Sequence, residues 1–286
     1  MRRVIGVVGM IVAAAVAGGA ENGTKGHLVL VGGGDKPPEA MRKFVELAGG
    51  PQAPIVAIPT ASEEADAAEY YVKLFKEEYG CANVVALPIK AREDAMRADL
   101  AELALRAKGI FFGGGDQVRI TRALLDTPVG AAIAAAHARG AVVGGTSAGL
   151  ACQSALMITG EGDFTVIRAN AVELKPGLGF IDRAIVDQHF IARQRSNRLL
   201  SVILEHPELL GVGVDEDTAI WVRPDDTFRV IGSRSVMVID PAGARVTRQS
   251  GEEGKDLLGA RDLRVHVLLP GDEYDLKGRA VVAAKP

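Results

Sequence analysis

The chain has 286 residues, 48% hydrophobic and 24% charged, which is typical of a globular protein with one sizeable core. Its formal net charge of −3 excludes a strongly basic domain, so we expect no nucleic-acid partner. Cys81 and Cys152 have no second metal-type ligand near them in the sequence, which therefore predicts neither a metal site nor a cofactor. Cys152 lies in an apolar segment and is predicted to be a buried free thiol.

Residues 1–20 have the pattern of an export signal. A pair of arginines forms a short positive segment, and an uncharged apolar run follows over 4–17. The run is short for a membrane span, and small residues predict cleavage after Ala17 or Ala20. We therefore predict an exported protein, periplasmic or extracellular, without stable membrane insertion, whose mature chain is a single domain over 21–286. An uncleaved anchor and a first strand are the alternatives.

Beyond this segment, short β-branched runs alternate with longer amphipathic ones, which is typical of βαβ units. The predicted strands cover residues 27–32, 54–58, 83–88, 109–113, 140–144, 184–188 and 211–215. The predicted helices cover residues 38–47, 63–79 and 92–107. Three later segments are spaced as hairpins and cover 220–222, 227–231 and 235–239. The predicted fold class is α/β, with a mostly parallel central sheet, flanking helices and C-terminal antiparallel hairpins.

Two glycine-rich loops follow predicted strands in the first half of the chain. The loop at 32–35 lacks the Gly-x-Gly-x-x-Gly spacing of a dinucleotide site and runs directly into prolines, so we reject such a site. The loop Gly113-Gly114-Gly115-Asp116-Gln117 permits close approach of a ligand to its backbone. We expect Gln117 to contact a substrate there.

The stretch 144–149, Gly-Gly-Thr-Ser-Ala-Gly, follows an apolar run and predicts a tight strand-to-helix turn with Ser147 at its tip. Such a turn, a nucleophile elbow, needs small neighbours and leaves the serine hydroxyl exposed above the sheet. The Ala148 amide would lie at a helix N-terminus, where it favours a developing oxyanion, and the Gly115 amide would complete the oxyanion hole. Taken alone, the stretch is equally compatible with an ordinary glycine-rich turn.

A serine nucleophile needs a base, and His189 is the best placed of the five histidines. It follows the predicted strand 184–188, and ligands bind at the carboxyl ends of strands in open α/β sheets. Arg193, Arg195 and Arg198 come next, with no acidic residue among them. Because guanidinium groups pair bidentately with carboxylates, these arginines indicate an acidic substrate. A solvated basic face is the alternative.

The third member of a triad is a carboxylate that orients the histidine. Glu216 lies at the end of the predicted strand that follows His189 along the chain. We favour it because an acid at one strand end can lie beside a base at the neighbouring strand end. Glu161 and Asp163, between the serine and the histidine in sequence, remain open as alternatives.

Four segments together resemble the cyanophycinases, in the serine peptidase family that also contains aspartyl dipeptidase, peptidase family S51. They are 113–117, 144–149, 187–190 with the three arginines that follow, and 214–218. The resemblance spans about residues 27–240. It implies a fold related to class I glutamine amidotransferases, often as homodimers. It also implies hydrolysis of cyanophycin, a poly-aspartate with arginine on each β-carboxylate, to β-Asp-Arg dipeptides.

By this resemblance Ser147 is the nucleophile and His189 the base. The pocket residues that it implies are Gln117, Asp187, Gln188, Arg193, Arg195 and Arg198. The arginines would hold aspartyl carboxylates while Asp187 received the substrate's guanidinium. An aspartyl dipeptidase-like enzyme acting on short N-terminal-Asp peptides is one alternative, and an exported non-catalytic binding relative is the other.

Overall fold

The computed structural model describes residues 25–251 and 255–282, so the predicted export signal lies outside the described residues. The strands are β1 (Leu28–Val31), β2 (Ile55–Ile58), β3 (Val84–Ala86), β4 (Gly109–Phe112), β5 (Val142–Thr146), β6 (Leu156–Gly162), β7 (Val172–Pro176), β8 (Ala184–Asp187), β9 (Leu210–Val214), β10 (Thr218–Val222), β11 (Thr227–Gly232), β12 (Val236–Asp240), β13 (Arg245–Gln249), β14 (Leu257–Arg261), β15 (Arg264–Leu268), β16 (Glu273–Asp275) and β17 (Ala280–Val282). The α-helices are α1 (Pro38–Leu47), α2 (Ala67–Lys73), α3 (Ala98–Arg106), α4 (Gln117–Leu124), α5 (Pro128–Ala138), α6 (Ala148–Ala151) and α7 (Ser196–Glu205).

The central sheet has nine strands in the order β17-β16-β11-β10-β1-β5-β4-β2-β3. The half from β1 to β3 is parallel, and the strands from β10 to β17 extend its β1 edge in antiparallel fashion. The parallel strands β1, β2 and β4 are buried along their whole length because helices cover both faces of the sheet. The predicted α/β class is confirmed, including the β10–β11 hairpin.

A second sheet of four strands has the order β15-β12-β9-β8, with β8 and β9 parallel. Strands predicted at 184–188 and 211–215 therefore belong to this sheet rather than to the central one, and β12 pairs with β9 instead of forming a hairpin with β11. Val186 and Val212 pack on the main core, while Ile185 packs with Leu199 and Ile203 of α7. The strands β8 and β9 are therefore buried on both faces of the second sheet, which accounts for their apolar sequences.

Two predicted helices begin later in the structure than in the sequence prediction. The helix predicted over 63–79 begins as α2 at Ala67 and ends in a π-helical turn, Leu74–Glu78. The helix predicted over 92–107 is divided because Arg97 has an extended backbone between a 3-10 turn, Asp94–Met96, and α3. None of the helices in the described ranges is long and apolar enough to cross a membrane. Cys81 and Cys152 are buried free thiols, which confirms the prediction for Cys152.

The loops that matter for the site follow β1, β4, β5, β8 and β9 at their carboxyl ends. Parallel strands bring their carboxyl ends to one edge of a sheet, and β8 and β9 lie close to β1 because the His189 amide donates to the Gly32 carbonyl at 2.8 Å. The two sheets thus direct their functional loops to one place.

Candidate active site

Ser147 lies between β5 and α6 with φ 53° and ψ −110°, a conformation that non-glycine residues seldom adopt. Its amide donates to the Val31 carbonyl at 3.0 Å, which fixes the turn against β1. An added Cβ on Gly145 would lie 2.2 Å from the Gly149 carbonyl oxygen, and one on Gly149 would lie 2.3 Å from the Phe112 carbonyl oxygen. The turn therefore requires glycine at both positions.

Ser147, His189 and Glu216 form a continuous hydrogen-bonded series. The Ser147 Oγ lies 2.8 Å from His189 Nε2, and His189 Nδ1 lies 2.7 Å from Glu216 Oε1. An ionised carboxylate only accepts hydrogen bonds, so the neutral His189 ring carries its proton on Nδ1, and this N–H donates a hydrogen bond to Glu216. Nε2 is then free to accept the Ser147 hydroxyl proton.

The surroundings of His189 keep its imidazole neutral. Burial lowers the pKa of His189 below its ordinary value, and the nearby cations Arg193 and Arg195 lower it further, while the hydrogen bond that His189 donates to Glu216 raises it. At neutral pH the ring is therefore unprotonated at Nε2 and able to accept a proton.

The glycine loop after β1 supports the His189 ring. An added Cβ on Gly33, where φ is +124°, would lie 2.1 Å from His189 Cε1. In addition to the bond from the His189 amide to Gly32, the Asp217 amide donates to the Gly33 carbonyl at 2.9 Å. In the sequence this loop was considered only as a dinucleotide site and rejected. Its glycines directly after a strand were the signal that another group, here the His189 ring, packs closely against its backbone.

Glu216 lies in an acidic loop that Arg234 joins together. Arg234 Nη2 lies 3.1 Å from Asp217 Oδ2, and its Nη1 lies 3.7 Å from Asp215 Oδ2 and 4.0 Å from Glu216 Oε2. Sequence reasoning missed Arg234, which stands in no recognisable motif. The loop is also tied to the first glycine loop, since the Asp35 amide donates to Asp217 Oδ1 at 2.8 Å.

The other two candidate carboxylates are not bonded to His189. Asp163 is exposed and accepts from the Thr165 amide at 3.0 Å and from its hydroxyl at 2.6 Å. Glu161 lies on β6 at the wall of a cavity. Glu216 is the one of the three that the structure brings to the imidazole.

The glycine loop after β4 lies beside Ser147. The Gly114 amide donates to the Tyr71 hydroxyl at 3.1 Å, so α2 holds the loop in place. Burial raises the pKa of Tyr71 to about 12, which keeps this hydroxyl protonated. In the part of the chain that the structure describes, the amides of Gly115 and Ala148 donate to no protein acceptor. Sequence reasoning did not find Tyr71, because its contact with the loop depends on how α2 packs.

A cavity of about 380 Å³ opens at Ser147. Its lining comes from three segments: the loop 115–118, the hairpin of β6 and β7, and the segment 188–198. Gln117 is almost fully buried, and its Nε2 donates to the Ile158 carbonyl at 2.8 Å, which holds β6 against the cavity. The volume is enough for a dipeptide-sized ligand.

Asp187 does not line this cavity. It is completely buried, and the Arg198 guanidinium donates from Nε to its Oδ2 at 2.7 Å and from Nη2 to its Oδ1. The expectation that Asp187 receives the substrate's guanidinium is therefore wrong, because both carboxylate oxygens are already bonded. Asp187 also balances the charge of Arg198, which the sequence had left without an acidic partner.

The other two arginines keep their charges available. Arg195 Nη1 donates to the Gln188 carbonyl at 2.9 Å and lies 4.0 Å from Asp187 Oδ1. Burial, with the Arg198 charge, lowers the pKa of Arg195 to about 10, so it stays protonated at neutral pH. Arg193 is exposed, with Nε 4.0 Å from Glu216 Oε1. Gln188, Arg193 and Arg195 all line the cavity.

A serine, a histidine and a carboxylate bonded in this order, beside a polar cavity on an α/β fold, define a serine hydrolase type of site. The family model for Peptidase family S51 matches residues 28–231. The chain belongs to peptidase family S51 and is a serine-type peptidase, which confirms the resemblance seen in the sequence.

Curated relatives cover most of the chain. A cyanophycinase of Synechococcus elongatus is 36% identical over 265 residues, which are 91% of this chain and 82% of the relative. A cyanophycinase of Geminocystis herdmanii is 37% identical over 254 residues, which are 87% of this chain and 93% of the relative. The crystal structure of a peptidase from an acI-B1 Actinobacterium aligns with a TM-score of 0.66 and 23% identity over 88% of this chain and 97% of that chain, and it supports the fold.

Proposed function

We propose that this peptidase hydrolyses cyanophycin to β-Asp-Arg dipeptides, with Ser147 as nucleophile, His189 as base and Glu216 as the acid that orients it. The observation that carries the proposal is the series of two hydrogen bonds, 2.8 Å and 2.7 Å, that opens into a cavity lined by Arg193 and Arg195. Its substrate is taken from relatives named cyanophycinase.

In the proposed reaction the turn at Ser147 acts as a nucleophile elbow. Ser147 Oγ attacks the carbonyl carbon of an aspartyl α-peptide bond while His189 Nε2 takes its proton. The Gly115 and Ala148 amides receive the oxyanion. His189 then gives the proton to the leaving amine, and water, activated by the same imidazole, releases the product from Ser147.

We assign substrate binding to the segment 188–198. Arg193 and Arg195 would pair with the carboxylates of the substrate, since within residues 25–251 and 255–282 neither has a carboxylate oxygen at hydrogen-bonding distance. Arg198 and Asp187 would act as the buried support of this segment. The Gln117 and Gln188 side chains would contribute neutral contacts at the cavity wall.

The test is hydrolysis of purified cyanophycin by residues 21–286, with Ser147→Ala as the matched variant and the products measured by mass spectrometry. Release of β-Asp-Arg by the wild type alone supports the proposal. Release of aspartate from short N-terminal-Asp peptides, without attack on the polymer, would instead support the aspartyl dipeptidase-like alternative. A folded wild type that cleaves neither substrate but binds the polymer would be a non-catalytic relative.

We further propose that the protein is exported and acts as a homodimer. The support for export is the arginine pair and the apolar run over 4–17. Edman sequencing of the protein from cell fractions would show a mature N-terminus after residue 17 or 20, whereas an intact Met1 on cell-associated protein would contradict export. Light scattering of the purified protein measures its oligomeric state, and a monomer at micromolar concentration would contradict the dimer.

A further inference from the structure

Three carboxylates line the cavity at Ser147, although the pocket is otherwise rich in arginine. They are Asp116, Glu161 and Glu173. Their presence matters because Asp187, which the sequence had assigned to a substrate guanidinium, is buried and bonded to Arg198. Another group must meet a positive charge if the substrate carries one.

Two of the three carboxylates already have partners. Asp116 Oδ1 accepts from the Val118 amide at 2.7 Å and caps the N-terminus of α4. Glu173 Oε2 accepts from the Thr159 hydroxyl at 2.8 Å, and Glu173 Oε1 lies 3.1 Å from Lys175 Nζ. Their positions are thus explained by the fold.

Glu161 differs from both. Among the described residues, no cation or hydrogen-bond donor reaches its carboxylate, which is exposed at the cavity wall. Its backbone is fixed, because its amide donates to the Thr159 hydroxyl at 3.2 Å. The register of β6 against β7 shifts between Ile158 and Gly162, and such bulges re-aim side chains next to active sites.

The ion pairs of the cavity leave a simple set of free charges. Arg198 is balanced by Asp187, and Lys175 lies beside Glu173. Among the described residues of the cavity, two cations remain, Arg193 and Arg195, each 4.0 Å from the nearest carboxylate oxygen. Two carboxylates remain without an ion pair, and of these Asp116 is held by its cap on α4, which leaves Glu161 as the one with no donor. A β-Asp-Arg unit carries charges of both signs, the α-carboxylate of its arginine and one guanidinium, and the C-terminal unit of the polymer has a second carboxylate.

We propose that Glu161 binds the guanidinium of the substrate and thereby selects units that carry arginine. This inference rests on the proposed function and names the specificity residue of the same cavity. A carboxylate and a guanidinium form charge-assisted bidentate hydrogen bonds, which a neutral side chain of the same shape does not form. Specificity then comes from leaving Glu161 unpaired when an uncharged unit enters.

The experiment compares Glu161→Gln with wild type on two synthetic oligomers, one of β-Asp-Arg units and one in which citrulline, the neutral isostere, replaces each arginine. We expect Glu161→Gln to lower kcat/KM on the arginine oligomer by about 10- to 100-fold, the loss typical of a hydrogen bond between charged groups. On the citrulline oligomer we expect no loss. Glu102→Gln, an exposed position on α3 that pairs with Arg106, is the matched control and should act as wild type on both oligomers.

An equal loss of kcat/KM on the two oligomers would overturn the proposal, because it indicates that Glu161 has a structural role. No loss of kcat/KM on either oligomer would also overturn it. Calorimetric binding of both oligomers to Ser147→Ala, with and without Glu161→Gln, gives the same comparison without turnover. If the wild type hydrolyses neither oligomer, the proposed function fails, while a 10- to 100-fold loss of affinity for the arginine oligomer alone still supports the role of Glu161. Unchanged affinity would overturn that role.

Discussion

The imidazole of His189 rests on the α-carbon of Gly33, so closely that an added Cβ would lie 2.1 Å from Cε1 and 2.4 Å from Nε2. Real Cβ atoms do not approach other heavy atoms to this distance, and the positive φ of Gly33 disfavours any side chain as well. The position of the ring therefore depends on the absence of a single methyl group.

Gly33→Ala should displace the imidazole from Ser147 and lower kcat by about 100-fold, the cost typical of a misplacement of about 1 Å. The measurement is kcat on cyanophycin, with far-UV circular dichroism to show that the sheet is retained. Gly50→Ala, in a half-exposed bend where an added Cβ meets nothing within 4 Å, is the control for a glycine with positive φ. Near-wild-type activity of a folded Gly33→Ala variant would contradict this account of the ring.

Glu216→Gln should lower kcat by about 10²- to 10⁴-fold, because the orienting carboxylate of the proposed triad is lost. The Glu216 hydrogen bond raises the pKa of His189, so its removal lowers that pKa further and moves the acid limb of kcat/KM to lower pH. In the wild type, burial lowers the pKa of His189, so we expect the acid limb at lower pH than a solvent-exposed histidine would give. A pH–rate profile for each protein measures both effects.

Asp163→Asn is the companion variant, since the exposed Asp163 was an alternative acid in the sequence and its carboxylate bonds only to Thr165 in the described structure. It should retain wild-type activity and an unchanged profile. An acid limb that moves to higher pH in Glu216→Gln would show that this carboxylate does not act on His189 as described.

Tyr71→Phe should lower kcat by about tenfold, because the Gly114 amide loses its hydroxyl partner and the loop that carries Gly115 is no longer held beside Ser147. The loss of one such hydrogen bond costs about 1 kcal/mol of folding stability, so the protein stays folded. If the loop acts in oxyanion binding, kcat falls while KM changes little. A change confined to KM would assign the loop to ground-state binding instead.

The buried Asp187–Arg198 pair joins the end of β8 to the first turn of α7. Asp187→Asn leaves the buried guanidinium without a counter-charge and should lower the free energy of unfolding by about 3–5 kcal/mol. The double variant Asp187→Leu with Arg198→Met removes both charges and should recover most of that loss. Urea titration followed by tryptophan fluorescence measures both. A double variant no more stable than Asp187→Asn would show that the pair is not a coupled unit.

Much of the candidate site could be anticipated because strand ends are readable in a sequence. Ser147, His189 and Glu216 each follow an apolar run, and carboxyl ends of parallel strands meet at one edge. The parallel pairing of β8 with β9 explains why Glu216, rather than Glu161 or Asp163, reaches the imidazole. The central parallel strands could be recognised in the sequence because strands buried on both faces have continuous apolar runs.

What the sequence did not reveal depends on burial and on contacts between distant segments. Nothing in the spacing of Asp187 and Arg198 distinguishes a buried ion pair from two groups that face a substrate. Gly33 and Tyr71 support the site from the loop after β1 and from α2, far from its motifs in sequence. The second sheet was missed because a strand buried on both faces carries the same apolar pattern in either sheet.

Covalent trapping would show whether Ser147 is the nucleophile. The wild-type protein is incubated with a fluorophosphonate, which forms a stable ester with an activated serine, and the modified peptide is mapped by mass spectrometry. We expect one adduct, on Ser147, which forms in step with the loss of cyanophycin hydrolysis. Its formation should be slowed by β-Asp-Arg and should not occur in His189→Ala. Inactivation with the adduct on another residue, or full activity after Ser147 is modified, would contradict the assignment of Ser147 as nucleophile.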